Sequence, residues 1–266
     1  MCTIAILIGG AAIPVVVAAN RDEIYARPTR PPERLAPGIV APCQRSAERA
    51  LRVVGGVDAL SGGTWLAVHA TGRFAAVTNQ RALDTPPPGL RSRGLAVMEL
   101  AAARDPEAYV DALDPRAYAS MNLAWGDAER VRVAYLRRES GAKEIVTLPR
   151  GIHVLCNDRL GAPDFPRGDR LAAAIEAAVD EPWHVLVATL ETALADHTRV
   201  PLENVPPSHL PVELARELTA TCIHSPHYGT RSSTILALAA GRVVAYRHAD
   251  GPPCVTPFVD RMELLA

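Results

Sequence analysis

The chain has 266 residues, 48% of them hydrophobic, with a mean hydropathy of +0.07, which is enough for a sizeable core. Its 28 basic and 29 acidic side chains nearly cancel and form no block of like charge, so composition argues against a nucleic-acid or membrane-surface binder. Apolar runs stop well short of the roughly 20 residues that span a bilayer, and the start lacks the positive n-region of a secretory signal, so a cytoplasmic location without a membrane span is expected.

The first element is a hairpin. Thr3 to Leu7 and Val15 to Ala19 are β-rich apolar runs separated by a Gly9-Gly10 turn, and pairing them returns Ala19-Asn20 to the level of Cys2. Removal of Met1, the expected fate of a Met before so small a residue, gives Cys2 a free α-amine beside its thiol. That amine has a pKa of about 7.7 to 8.0, so it can take the thiol proton directly or through water. Asp22 can then hold the ammonium, and Arg21 can hold a substrate carboxylate or the thiolate. The competing reading of Cys2 is a small apolar residue opening a buried strand.

From Pro28 to Pro42 the chain is Pro-rich with interleaved arginines and reads as an irregular ordered loop. A meander follows: Leu51 to Val54, Thr64 to His69 and Phe74 to Asn79, with Gly turns between. After Pro86-Pro87-Pro88-Gly89, helices are expected at Gly94 to Ala103 and Pro106 to Leu113. Strands are expected at Asn122 to Trp125, Arg130 to Leu136, Glu144 to Leu148 and Ile152 to Cys156. Helices are then expected at Arg167 to Val179 and Trp183 to Ala195, and strands at Ala220 to Ile223, Thr234 to Ala239, Arg242 to His248 and Cys254 to Phe258. Short Gly turns between strands oppose a parallel α/β fold, and one domain over 1–266, with two sheets stacked face to face and helices outside, is the economical arrangement.

The five cysteines, at 2, 43, 156, 222 and 254, are odd in number and show no C-x-x-C spacing, so neither a disulfide framework nor a structural zinc site is expected. His224 and His227 flank Pro226, which opposes a helix that would align them, so no metal ligands are assigned. Asparagine occurs only at 20, 79, 122, 157 and 204, and three of these directly follow an apolar run. An Asn amide with a backbone N–H can stabilise the oxyanion of an acyl-transfer intermediate without adding a competing base, although Asn is also a common turn residue.

Asn20-Arg21-Asp22-Glu23, Gly62-Gly63-Thr64-Trp65-Leu66-Ala67, Ala76-Val77-Thr78-Asn79 and Tyr228-Gly229-Thr230-Arg231-Ser232-Ser233-Thr234-Ile235 together resemble the NRDE (transport and Golgi organisation 2-like) family. That family is similar to N-terminal nucleophile hydrolases of the choloylglycine hydrolase and penicillin V acylase type. The resemblance implies an α+β, four-layer αββα sandwich of two mainly antiparallel sheets. It also implies Cys2 as nucleophile, Asp22 as the carboxylate orienting the amine, Asn157 and the Asn79 backbone N–H as oxyanion donors, and Arg231 completing a charged network. Asn20, Arg21, Glu23, Trp65 and Tyr228 are the positions assigned to substrate. The hydrolases carry an arginine three residues before the aspartate, where this chain has Ala19, with Arg21 one residue before it instead.

The activity implied is acyl transfer through a thioester on Cys2, with amide ahead of ester or thioester and an anionic or acylated small molecule as substrate. No cofactor is required in that reading, and the oligomeric state stays open. The same resemblance implies an alternative without catalysis, a haem carrier with Cys2, His224, His227 or Tyr25 as axial ligand.

Overall fold

The computed structural model describes residues 2–35, 53–81 and 86–266. The chain divides into two compact units, each built on one sheet: residues 1–26, 149–237 and 245–260 form the first, and 27–148, 238–244 and 261–266 the second.

The first unit carries the sheet β10-β1-β2-β11-β12-β13, with β1 Cys2–Ile8, β2 Val15–Ile24, β10 Gly151–Leu155, β11 Tyr228–Ala239, β12 Arg242–Ala249 and β13 Val259–Asp260. The expected hairpin forms, antiparallel, with Cys2 opposite Arg21 and Thr3 opposite Asn20. Gly9 closes its turn at φ +83°, a conformation open to glycine, and donates its N–H to the Pro14 carbonyl at 2.6 Å. On the other edge of β1, β10 runs antiparallel with Ile4 opposite Leu155. Strand alternation sends Ala5, Leu7, Val16 and Ala18 to one face, where they bury against Leu171 and Ile175 of α3 (Pro166–Glu176) and Leu186, Leu190 and Leu194 of α4 (Trp183–Leu194).

The second unit is an antiparallel meander in sequence order: β3 Thr29–Arg34, β4 Val53–Asp58, β5 Leu66–His69, β6 Arg73–Asn79, β7 Met121–Gly126, β8 Val131–Arg137 and β9 Ala142–Thr147. Helix α1 (Arg93–Ala102) buries Val97, Leu100 and Ala101 against it, and α2 (Pro106–Asp111) adds Val110. Among the described residues, no helix is long and apolar enough to cross a membrane.

Several expectations are corrected. The Pro-rich stretch after Pro28 contains strand β3, whose irregular register between Arg30 and Glu33 accommodates two prolines at the sheet edge; the part from residue 36 onward lies outside the described residues. Ala220 to Ile223 is no strand, because its backbone groups pair with side chains and a distant loop. Strand β11 starts six residues early, at Tyr228, and the stretch 254–258 is a turn. A short helix, α5 (Val212–Glu217), went unpredicted.

The Gly-Gly-Thr-Trp run serves the second unit's packing. Gly62 turns at φ +69° and donates to the Asp58 carbonyl at 2.8 Å, while a Cβ on Gly63 would lie 2.6 Å from the Leu95 nitrogen. The loop thereby touches the first turn of α1 backbone to backbone, and Thr64 N–H donates to the Gly94 carbonyl at 3.1 Å. Gly63→Ala should therefore lower the unfolding free energy by about 1–3 kcal/mol through overpacking. Urea denaturation measures this, and an unchanged midpoint would contradict the contact.

Candidate active site

Cys2 opens β1, partly exposed, and the pairing of β1 with β10 ends at Ile4 and Leu155, two residues from Cys2 on one strand and two residues before Asn157 on the other. Burial pushes its thiol above the ordinary range, and the Asp22 charge adds to that. The Arg21 charge and the Asp22 backbone N–H, hydrogen-bonded to the sulfur, oppose it. The sulfur is thus a thiol at rest, and attack requires a base.

Asp22 is 1% exposed. Its Oδ1 accepts the Thr230 hydroxyl at 2.7 Å. Burial raises its pKa against the opposing charges of Arg167 and Arg21 and the Thr230 hydrogen bond. Thr230 is held in turn: the Ile223 N–H donates to its Oγ1 at 2.9 Å, and its own N–H donates to the Ile223 carbonyl at 2.9 Å. Gly229 is required beside it, because a Cβ there would collide with the Tyr25 hydroxyl and the Ile223 carbonyl.

The residue that sequence reasoning missed is Arg167, 2% exposed in the first turn of α3. Its Nη2 donates to Asn157 Oδ1 at 2.8 Å, its Nη1 donates to the Leu218 carbonyl, and its charge bears on Asp22, Cys156 and Tyr228. A guanidinium only donates, so the Asn157 atom facing it must be oxygen, and the amide nitrogen points the other way. Beside Arg167, a Cβ on Gly168 would sit 3.3 Å from Cys156 Sγ, a tight contact. A cation in a first helical turn opposes the helix dipole, and that is the one sequence signal that could have marked it.

The other expected residues fall into place unequally. Tyr228 is half-buried near Cys2 and Asp22; burial and then their charges hold its pKa well above the ordinary value, so its hydroxyl remains a donor. Arg21 is 4% exposed and lies 3.9 Å from Glu23, two positions along the same strand face. Arg231 lies with its guanidinium 5.9 Å from the Tyr25 ring centre.

Asn20, assigned to substrate by sequence, is wholly buried. Its amide donates to the Leu194 and Thr221 carbonyls at 2.9 Å each, and its oxygen accepts the Ser233 hydroxyl. These bonds consume both amide hydrogens, which makes it a scaffold residue. Asn79 and Trp65 belong to the second unit, Asn79 pairing with Met121 and the Trp65 indole packing on Gly56. Separately, His197, Cys222, His224 and Cys254 gather metal-ligand atoms within 4.8 Å of one another, although spacing predicted no metal site.

Asn20→Ala should cost about 1–3 kcal/mol for each buried partner left unsatisfied, read as a lowered urea midpoint. A loss below half a kcal/mol would contradict the scaffold assignment.

The family model described as Transport and Golgi organisation 2 matches residues 1–247. Transport and Golgi organization protein 2 homolog from Bos taurus is 30% identical over 246 residues, covering 87% of this chain and 84% of the relative. The Homo sapiens homolog is 28% identical over 247 residues with the same coverage. Among solved structures, a cysteine-to-alanine mutant of conjugated bile acid hydrolase from Clostridium perfringens aligns over 100% of this chain and 94% of its own, at TM-score 0.57 and 11% identity. A second variant of that hydrolase gives TM-score 0.51 at the same coverage and identity. This likeness is one of fold, the N-terminal nucleophile hydrolase fold. By sequence, the chain belongs to the Transport and Golgi organisation 2 family.

Proposed function

We propose that the chain is a Cys2-dependent acyl-transfer enzyme acting on amides, or on esters or thioesters, of a small anionic or acylated molecule. The observation that supports this most is the company Cys2 keeps: buried Asp22 with its backbone N–H on the sulfur, and Asn157 fixed by buried Arg167 at the end of the adjacent strand. Charged groups are rarely kept this dry without a task.

With Met1 removed, the Cys2 amine takes the thiol proton as the sulfur attacks the carbonyl carbon. Negative charge forms on the carbonyl oxygen, where the Asn157 amide nitrogen, aimed by Arg167, and the Tyr228 hydroxyl serve as donors. Collapse breaks the bond to the leaving group, which departs with the proton held by the ammonium. An acyl-thioester remains, and water or another nucleophile releases it by the same route reversed. Asp22 keeps the ammonium oriented. Arg21, opposite Cys2 in the hairpin and with Glu23 close by, suits an anionic acyl group.

The haem-carrier alternative has no comparable support. One cavity of about 540 Å³ among the described residues of the second unit, lined by residues including Arg73, Trp125 and Arg132, contains none of Cys2, His224, His227 and Tyr25.

The test is turnover of a panel of acyl amides, esters and thioesters with acidic or fatty-acyl groups by chain lacking Met1. Wild type should turn over at least one member. Cys2→Ala should be inactive, and Arg167→Gln should lower kcat by roughly the 10²–10³-fold typical of a lost oxyanion donor. Equal turnover by wild type and Cys2→Ala would refute the proposal.

A further inference from the structure

The second cluster lies in loops of the first unit that the acyl-transfer reading does not use. His197 follows α4, Cys222 and His224 precede β11, and Cys254 sits in the turn after β12. His224 Nε2 is 3.2 Å from Cys254 Sγ and 3.8 Å from Cys222 Sγ, and the His197 and His224 ring centres are 4.9 Å apart. Zinc bonds of about 2.3 Å to sulfur and 2.0–2.1 Å to nitrogen in a tetrahedron place neighbouring ligand atoms about 3.3–3.8 Å apart. The described side chains therefore stand at the spacing a tetrahedral ion requires, or within small rotations of it.

Second-shell geometry points the same way. His197 Nδ1 lies 2.9 Å from the Cys222 carbonyl, which can only accept, so Nδ1 carries the proton and Nε2 holds the lone pair a metal needs. The Cys222 N–H donates to the Asp196 carbonyl at 2.8 Å, and the Asp196 carboxylate accepts from Thr198 and pairs with Arg170 at 3.4 Å. Cys254 is presented by a tight turn in which the Val255 and Thr256 N–H groups both donate to the Pro252 carbonyl. The ligand-bearing segments are thus braced before any ion arrives.

We propose that His197, Cys222, His224 and Cys254 form a structural site of two cysteines and two histidines for a zinc-class divalent cation. Binding forms two metal–thiolate and two metal–imidazole bonds, releases the two thiol protons to solvent and displaces water from the ion. Two thiolates cancel the ion's charge, which suits a site between buried Cys222 and exposed His197 and His224. Four protein ligands close the coordination sphere, so the site supports structure and leaves no position for substrate.

Its effect reaches Asp22. Cys222 and His224 flank Ile223, the partner of Thr230, and Thr221 supplies the carbonyl that holds Asn20. An ion there would clip the loop on which the Asp22 hydrogen bond depends. His197, Cys222 and His224 fall within the residues 1–247 matched by the family model, and Cys254 lies beyond them.

The experiment uses untagged full chain grown with zinc, desalted and analysed by plasma mass spectrometry, with cobalt substitution followed by absorption. Wild type should retain stoichiometric zinc, and cobalt should give tetrahedral d–d bands with thiolate charge transfer. Cys254→Ser and His224→Asn should drop metal to background, whereas Cys2→Ala should keep it, which separates this inference from the nucleophile reading. Chelation should speed amide exchange at Ile223 and Thr230. Metal-free wild type with reduced thiols and no cobalt spectrum, or a Cys222–Cys254 disulfide in its place, would overturn the site. Because the wild-type cobalt spectrum decides the matter, a variant that fails to fold does not leave it open.

Discussion

A carboxylate sealed from water is costly unless positive charge and donors surround it, and much of the first unit is arranged to meet that demand at Asp22. Thr230 gives it a hydroxyl, Arg167 and Arg21 give it a field, and each of these is fixed by something else: Thr230 by Ile223, Arg167 by Asn157 and Leu218, Arg21 by its register with Cys2. The sulfur of Cys2 is placed as a consequence. The hairpin brings Arg21 opposite it, and the Asp22 N–H reaches it.

The Asn-Arg-Asp-Glu run shows how adjacent residues divide labour by strand alternation. Asn20 and Asp22 point toward Leu194, Thr221, Thr230 and Ser233 and hold strands and loops together, while Arg21 and Glu23 share the opposite face with Cys2. Asn20 thereby fixes β2 against the loop at 220–223. The Gly-Gly-Thr-Trp run behaves similarly in the second unit, where its glycines permit backbone contact with α1 and its indole covers Gly56.

Local signals carried much of the fold. Alternation and Gly turns located strands β5 to β10 within one or two residues, because those elements answer mainly to their own sequence, whereas β2 runs five residues past the expected Ala19 and β4 four past the expected Val54. They failed where pairing is tertiary. Ala220 to Ile223 looks like a strand by composition, yet its polar backbone is claimed by Asn20, Thr230 and Asp196. The strand expected to open at Thr234 opens at Tyr228, where Gly229 lets it pass Tyr25. Arg167 was hidden because nothing in its neighbours announces that α3 begins over β10. The His197, Cys222, His224 and Cys254 cluster was hidden because its ligands come from separate loops, with only Cys222 and His224 close in sequence.

The account stands on Cys2 being the reactive terminus that these buried charges serve. Its most direct measurement is peptide mapping, by mass spectrometry, of protein made in cells and exposed to an electrophilic acyl probe. The account predicts an N-terminal peptide that begins at Cys2, with a free amine and the acyl mass on its sulfur. A terminus that keeps Met1, or an acyl mass on Cys156 or another thiol with Cys2 untouched, would contradict it.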